Sequence, residues 1–534
     1  MGKRHQVVIV GGGPVGVALA VDLGLRGISC GLVETRTGMH RIPKGQNLTH
    51  RTLEHFYFWG IVDELRAARF LPPGFAIGEI TAYGDLMSPY WHAPAGREVV
   101  RDYYFQANDR LPQYQMEMVL RRKMASLPNV ESRFGWSAKS IEQDDGGVRV
   151  VIANEGGNEQ EVWEADYLVG CDGGHSLVRQ QIGIERGGTD FDQLMVLVVF
   201  RSREFHEGLK RFPERSIYRV MHPDLQGYWK FFGRIDVGEG FFFHAPVPPG
   251  TRTDNFDFLG LLHEAAGFKF ACEFDHLGFW DLRVAVAERY QVGRVFIAGD
   301  AAHSHPPYGG YGLNNGLEDS VNLGWKLAAT VRGWGGPRLT ASYETERRPI
   351  ALRNTGHAKR LARNVGAVPV GDAIDLDTPA GEADRRAASE FLASFGPEFG
   401  SLGVQLGARY DGSPIVIGDG AAPPPDDPIV YTPSGVPGGR APHLWLADRS
   451  SLYDRLGPGF TLLRFAGGGS EATALETAAR RRGVPLTVLT IAHPQGRDLY
   501  GCDLALVRPD QHVAWRGNRL PEDNDALIRR VTGW

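Results

Sequence analysis

Cysteine is scarce in this 534-residue chain, and its four copies are widely spaced. Cys30, Cys171, Cys272 and Cys502 form no CxxC pair, which excludes a disulfide framework, a thiol redox centre and a thiolate zinc site. They suit a reducing compartment, and the cytoplasm is the expected location. No stretch of 18 uninterrupted apolar residues occurs, so no transmembrane helix or integral membrane contact is expected. Neither sign of charge dominates: 58 basic against 63 acidic residues leave a net charge of −5, which gives no electrostatic case for nucleic acid or an anionic membrane. Repeats and low-complexity tracts are missing too. A secretory leader is not expected, because the apolar run after Lys3, Arg4 and His5 contains three glycines, Pro14 and Asp22 and lacks a small-residue cleavage site. The remaining composition, 42% hydrophobic and 23% charged, is that of an ordinary globular protein, and the length predicts roughly three domains.

Glycine, by contrast, is abundant at 69 residues, and it concentrates in three separated segments. The first reads VVIVGGGPVG over residues 7–16. A β-branched run at 6–10 predicts a parallel strand buried on both faces. Gly11, Gly13 and Gly16 follow with the spacing of a dinucleotide cradle: a tight turn, a close approach to pyrophosphate, and close packing of helix on strand. Residues 15–25 should form a helix with its positive end toward the phosphates, and a second strand at 29–33 ends at Glu34, an acceptor for ribose hydroxyls. The second segment, YLVGCDGGHSLVR at 167–179, predicts a strand, a turn at Asp172 and Gly173, and a helix from Ser176. The third, at 294–326, predicts a strand at 295–298 with Gly299 and Asp300 at its carboxyl end, where open α/β sheets bind ligands. Gly309, Gly310, Gly312 and Gly316 would keep side chains off a flat ring, and a helix at 313–327 would point its N-terminus at it, stabilising negative charge there.

Taken together, these motifs resemble those of the FAD-dependent aromatic hydroxylases, the single-component flavoprotein monooxygenases related to phenol and para-hydroxybenzoate hydroxylases. The chain shows their GxGxxG, their DGxxSxxR (Asp172, Gly173, Ser176, Arg179), their GDxxH (Gly299, Asp300, His303) and their PxGGxGxN (Pro307, Gly309, Gly310, Gly312, Asn314). Asn322, Leu323, Trp325, Lys326 and Leu327 match the family's NLxWKL helix, and residues 343–349 its following helix, so the likeness runs to about residue 350. It implies a non-covalent FAD held by Gly11, Gly13, Pro14, Gly16, Glu34, Arg41, Gln113, Asp172, Gly299, Asp300, Pro307, Gly310, Gly312, Leu313 and Asn314, with Gln115 competing with Gln113. It implies NADPH or NADH as a transient co-substrate: no second GxGxxG is present, as in the family. It also implies a cycle in which reduced flavin and O2 give a C4a-hydroperoxide that hydroxylates a small phenolic ring.

The expected fold class is α/β: a Rossmann-like FAD-binding domain interleaved with a β-sheet substrate domain, plus a C-terminal thioredoxin-like α/β domain. Residues 1–82, 113–185 and 284–345 are assigned to the FAD domain. The substrate domain takes 83–112 and 186–283, with roof strands expected at 194–200, 216–221, 227–234 and 240–246. A helical connector is expected at 346–395 and the last domain at 396–534, beginning with a Pro- and Gly-rich stretch at 411–442. Strands at 460–465, 486–491 and 504–508 with a helix at 472–482 resemble the C-terminal domain of the phenol hydroxylase branch. Without CxxC it would be structural or an oligomer contact, serving a homodimer.

His222, Tyr218 and Tyr228 are the candidates for the substrate pocket, with His244 and Arg219 on the same strands and Tyr83, Tyr90, His92, Tyr103 and Tyr104 in the aromatic segment. Alternation should divide Phe241, Phe242 and Phe243 between pocket wall and core. His303 and His305 read as loop-forming rather than as a base or metal ligands. Arg219 or Arg234 would clamp a carboxylate if the substrate were a benzoate. The alternatives are a monooxygenase or epoxidase of a larger polycyclic or antibiotic substrate, and a non-catalytic flavin-bound ligand sensor. A halogenase, a disulfide reductase and a Baeyer–Villiger enzyme each want a motif that the chain lacks.

Overall fold

The computed structural model describes residues 3–73, 75, 78–93, 101–225, 227–305, 307–465 and 472–534. Pro306 and residues 94–100 of the aromatic segment lie outside the described residues.

Apolar runs with no polar face can be satisfied only by burial on both sides, and they build the first sheet. Its strands lie in the order Gln291–Val292, Val295–Ile297, Gln160–Gly170, Lys3–Val10, Cys30–Glu34 and Val130–Phe134, parallel except for the first pair. Val7, Val8 and Ile9 have no accessible surface. A ribbon of Trp136–Asp144 and Gly147–Asn154 continues antiparallel from Gln160–Gly170. Register brings four carboxyl ends level: Val10 pairs with both Val33 and Gly170, and Gly170 with Ile297. All three glycine-bearing segments therefore leave one edge of one sheet. Helices Pro14–Leu25 and Tyr311–Val331 pack on it side by side, joined where the Ser320 hydroxyl donates to the Val15 carbonyl at 2.8 Å.

The second sheet runs His303–Ser304, Glu273–Ala287, Arg186–Arg201, Gly240–Pro246, Lys230–Arg234, Ile217–Met221, Glu79–Tyr83 and Trp91–His92. The sequence boundary at residue 82 falls inside Glu79–Tyr83, which pairs in parallel with Ile217–Met221 of this sheet. The outer face carries Tyr218, Val220, Phe232, Phe241 and Phe243 into a core closed by Phe205, Phe258 and Leu262. The inner face carries Leu197, Val199, Phe231, Phe242 and Trp280 against Ile42, in the loop after the second strand of the first sheet. Beside them, Trp229 meets Tyr308 of the third glycine segment, with ring centroids 5.8 Å apart.

Helices Pro337–Gly366 and Pro379–Gly400 follow, the first crossing the boundary placed at 345. The last sheet orders Leu486–Ile491, Phe460–Phe465, Leu504–Val507 and Val513–Gly517, with Ala472–Arg481 crossing between its one parallel pair. That topology is thioredoxin-like. Its core continues into the flavin-domain side through Trp325 and Trp334. No helix among the described residues is long and apolar enough to cross a membrane.

Candidate active site

The first glycine turn is built by contact. A Cβ on Gly11 would lie 2.3 Å from the Cys171 carbonyl oxygen, and one on Gly16 would lie 1.9 Å from the Gly11 carbonyl oxygen, so both must be glycine. Gly13 has open space beside it, which is the approach a pyrophosphate needs. Helix Pro14–Leu25 starts there with proline in its first turn, no side-chain cap and no acid in that turn, leaving its own N-terminal N–H groups uncapped. The Gly12 N–H donates to Glu34 Oε2 at 2.7 Å, and the Arg36 N–H donates to Oε1 at 2.9 Å. The Thr35 hydroxyl donates to Oε1 as well, at 3.2 Å, so both oxygens of Glu34 anchor the turn.

Asp172, partly accessible, already serves its own helix. Its carboxylate accepts from the Ser176 hydroxyl at 2.5 Å and the Val178 N–H at 3.1 Å, capping helix Leu177–Gln181. Arg179, the end of the same motif, donates to the Ala301 carbonyl at 2.9 Å and the Gly174 carbonyl at 3.0 Å. DGxxSxxR is therefore a bracket that fixes the Gly299–Ala301 loop against strand Gln160–Gly170. Arg186 adds a bond to the Asp300 carbonyl at 3.1 Å and one to Ser304 at 2.9 Å.

Asp300 carries accessible surface, yet protein encloses it and pushes its carboxyl pKa up through desolvation. Gly310 (φ +69°) sits at the N-cap of helix Tyr311–Val331 in the left-handed region, and this helix too has neither a side-chain cap nor an acid in its first turn. Gly312 and Leu313 belong to that turn, with Pro307 exposed just before it. Asn314 is saturated by protein: it accepts from the Thr49 N–H (3.0 Å) and Thr52 hydroxyl (2.7 Å), and donates to the Asn47 carbonyl (2.9 Å) and Gly310 carbonyl (2.6 Å). It ties the 45–49 loop to the helix start. Leu313 and the Gln113 amide oxygen both border Gly45, and Gln113 donates to Glu117 at 2.8 Å. Arg41 is exposed beside Tyr114, on the same loop.

The residues present fit a flavin nucleotide. Two uncapped helix N-termini, the open face of Gly13 and the wetted Asp300 lie at one sheet edge, and the buried Gln46 Nε2 and Asn47 Oδ1 lack a hydrogen-bond partner there. A further set of residues escaped the sequence reading. Asp319, fully buried, accepts from the Gly299 N–H (3.1 Å), holds His303 Nε2 (2.7 Å) and pairs with Arg347 Nε (2.8 Å). Burial pushes its pKa up, but His303 and Arg347 outweigh burial and hold it below the usual range. His305 is held by the Asn315 amide at 3.0 Å, and burial lowers its pKa well below the ordinary value. Both histidines are thus loop anchors. No group of three metal-ligating side chains occurs among the described residues.

The pocket candidates need correction. Tyr218 points into the outer core, where its hydroxyl accepts from Arg234 Nε at 3.0 Å; Arg234 also meets His206 there, which removes it as a carboxylate clamp. Parity along Ile217–Met221 is the reason: an inner Arg219 forces an outer Tyr218. Tyr218→Phe should leave turnover unchanged and cost about 1 kcal/mol of stability for the lost hydrogen bond, read from denaturant midpoints. His222 lies past that strand, partly exposed and 3.3 Å from Asp224. The strand expected at 227–234 begins only at Lys230, because Gly227 (φ +86°) makes a turn; Tyr228 precedes the strand and stands near Tyr308. Arg219 keeps the inner face but pairs with Glu79 at 2.9 Å. Phe242 faces inward between the outward Phe241 and Phe243.

Comparison with known proteins agrees with this geometry. The FAD binding domain family matches residues 4–358, and the aromatic-ring hydroxylase C-terminal family matches residues 434–534. A putative polyketide hydroxylase of Streptomyces halstedii is 33% identical, over 99% of this chain and 96% of its own. The 4-methyl-5-nitrocatechol 5-monooxygenase of a Burkholderia species is 32% identical over 98% and 96%. The structure of the rebeccamycin biosynthetic enzyme RebC with reduced flavin superposes with a TM-score of 0.88 at 32% identity, covering all of both chains.

Proposed function

This chain belongs to the FAD-dependent aromatic-ring hydroxylases, a family of flavin monooxygenases, and on that footing we propose that it hydroxylates a phenolic ring using NAD(P)H and O2. The observation that carries the reading is the placement of the ring-lined inner face of the second sheet directly against the third glycine segment. Bound FAD supplies the redox chemistry, taking electrons from the nicotinamide and activating O2. The chain's own residues do the rest. Gly11, Gly13 and Gly16 with helix Pro14–Leu25 hold the pyrophosphate, and Glu34 sits where ribose hydroxyls are accepted. Gly310, Gly312 and Leu313 present main-chain N–H groups at the start of helix Tyr311–Val331 to negative charge on the ring system. Arg179, Arg186 and Asp319 hold the Asp300 loop in place. Leu197, Phe231, Phe242 and Trp280 exclude water from the substrate side.

A second reading, a substrate of several fused rings, draws support from the length of the aromatic wall. Tyr308, Trp229, Phe231, His244 and Trp280 form an unbroken series with centroid steps of 5.8, 4.6, 5.0 and 5.5 Å, longer than one benzene ring needs. The polyketide hydroxylase relative agrees with it.

Both readings predict NAD(P)H oxidation that accelerates when an aromatic substrate is added. The measurement is a 340 nm assay of holoenzyme against a panel of phenols and hydroxylated polycycles, with product mass read after turnover. Stimulation by single-ring phenols alone favours the first reading, and stimulation by hydroxylated polycycles alone favours the second. Slow oxidation blind to every member overturns both.

A further inference from the structure

The inner face of the second sheet carries polar side chains toward its margins, among them Glu79, Thr81, His92 and His276, and Arg219, whose charge is met by Glu79. The polar side chain set among the rings of the wall is His244. Strand Gly240–Pro246 sends Phe241, Phe243 and Ala245 outward, so Phe242 and His244 point inward. The imidazole is clamped on three sides. It stacks on Phe231 (5.0 Å, 30°) and meets Phe242 (5.7 Å) and Trp280 (5.5 Å) edge-on. Trp280 Nε1, a donor only, gives its hydrogen to Nδ1 at 3.2 Å.

That bond assigns the ring. Nδ1 accepts, so the proton of the neutral imidazole is on Nε2. Burial keeps the ring neutral by pushing its pKa down to about 3, and the nearby Val196 main chain offsets this only in part. Beyond the Trp280 bond no hydrogen bond of good geometry holds the ring, and Nε2 is not among the buried unpartnered atoms, so it retains accessible surface.

Resting on the reading of the protein as a ring hydroxylase, we propose that His244 is a substrate-positioning residue whose Nε2–H donates to an oxygen on the substrate ring. A neutral donor stacked in an aromatic wall selects an uncharged ring bearing a hydroxyl or keto oxygen. It cannot clamp a carboxylate, and Arg234, which could have, lies on the opposite face. Nor can it remove the phenolic proton, since Nε2 already holds one. Its role is to fix which edge of the ring is presented.

The test uses the holoenzyme and two rings of like shape, 1-naphthol and 1-methylnaphthalene, titrated against the absorbance of the oxidised flavin. Wild type should bind the naphthol roughly tenfold tighter, the size of one good hydrogen bond. His244→Phe should bring that ratio to about one while retaining flavin and reduction by NADPH, and His244→Gln, which keeps a donor, should restore part of it. A packing role would shift both ligands together and leave the ratio alone. An unchanged ratio in His244→Phe, no discrimination by wild type, or no naphthol binding overturns the proposal. If aromatics still stimulate NAD(P)H oxidation in that case, only His244 loses its role; if none does, the hydroxylase reading itself has failed.

Discussion

Glu346→Ala is expected to destabilise the protein by about 3–5 kcal/mol, the cost of stranding buried charge, and to do so at the junction of the flavin-binding and C-terminal parts. Glu346 has almost no accessible surface. Its carboxylate pairs with Arg508 through two bonds of 2.7 and 2.8 Å and with Lys326 Nζ at 2.6 Å, and it accepts from the Ser413 hydroxyl at 2.6 Å. Arg508 in turn forks onto Asp510 at 2.9 and 2.6 Å, and Asp510 accepts from the Trp325 indole at 3.2 Å. The RPDxH stretch of the last domain is thus plugged into the helix that begins at the glycine loop. Within the cluster, burial pushes Lys326 down to about 8, whereas Glu346 lies at about 2, because two cations overcome its own desolvation. The carboxylate is the keystone and the lysine the weaker partner. A folded pKa below the ordinary glutamate value means that the folded state binds fewer protons there. The stability from Glu346 is therefore present above the ordinary value and lost as pH falls toward about 2. Thermal and denaturant scans of Glu346→Ala check the magnitude, and flavin release checks the location. Replacing Lys326, Glu346 and Arg508 together by apolar residues of similar size should recover much of the loss, since no charge is then stranded. Equal stability of wild type and Glu346→Ala would show that the cluster contributes nothing.

What could be read in advance follows from what main chain alone requires. The glycine turns were legible because backbones packed so closely that a Cβ would fall 1.9–2.3 Å from a neighbouring carbonyl oxygen admit only glycine, and this leaves a mark at fixed offsets, as at Gly11 and Gly16. The strand–helix–strand order at the C-terminus was legible from apolar runs of strand length, its thioredoxin-like character only through the family resemblance, and the fourth strand, Val513–Gly517, was not among those expected. The facing of Tyr218 was not. Ile217, Tyr218, Val220 and Met221 are apolar on both parities because the second sheet is covered on both sides, so alternation carried no polarity to say which face was which. An acid after a strand end can serve a ligand, a helix cap or both, and the cap that Asp172 makes through Ser176 and Val178 left no mark distinct from a ligand contact. The pairing of Glu346 with Arg508 spans 162 residues and leaves no local trace. Its one cue was chemical: acids, Ser320, Asn322 and a lysine interleaved with apolar residues in the stretch LEDSVNLGWK, where burial demands partners.

Asp319→Asn is the second large effect, and it should appear as loss of flavin rather than loss of fold. Asp319 is the acid of that stretch that reaches the site. One oxygen receives the Gly299 N–H and His303, and the other receives Arg347. Asparagine keeps the shape but cannot accept on both sides, and it leaves Arg347 with Glu318, at 2.9 Å, as its remaining acid. Removing one partner of a buried pair costs about 3 kcal/mol or more, which corresponds to a loss of roughly a hundredfold or more in FAD affinity if the cost falls on the loop. It should fall there, because the Asp300 loop is the element that Asp319 bridges to the helix. The readouts are the flavin-to-protein absorbance ratio after gel filtration and the dissociation constant on reconstituting apoprotein. Asp319 sits below its ordinary pKa when folded, so acidification of wild type should reproduce the variant's flavin loss as pH falls through that lowered value, whereas the variant should lack this step. Full flavin retention by Asp319→Asn would mean that Arg179 and Arg186 alone suffice to hold the loop, and that the carboxylate at the heart of the site only balances charge.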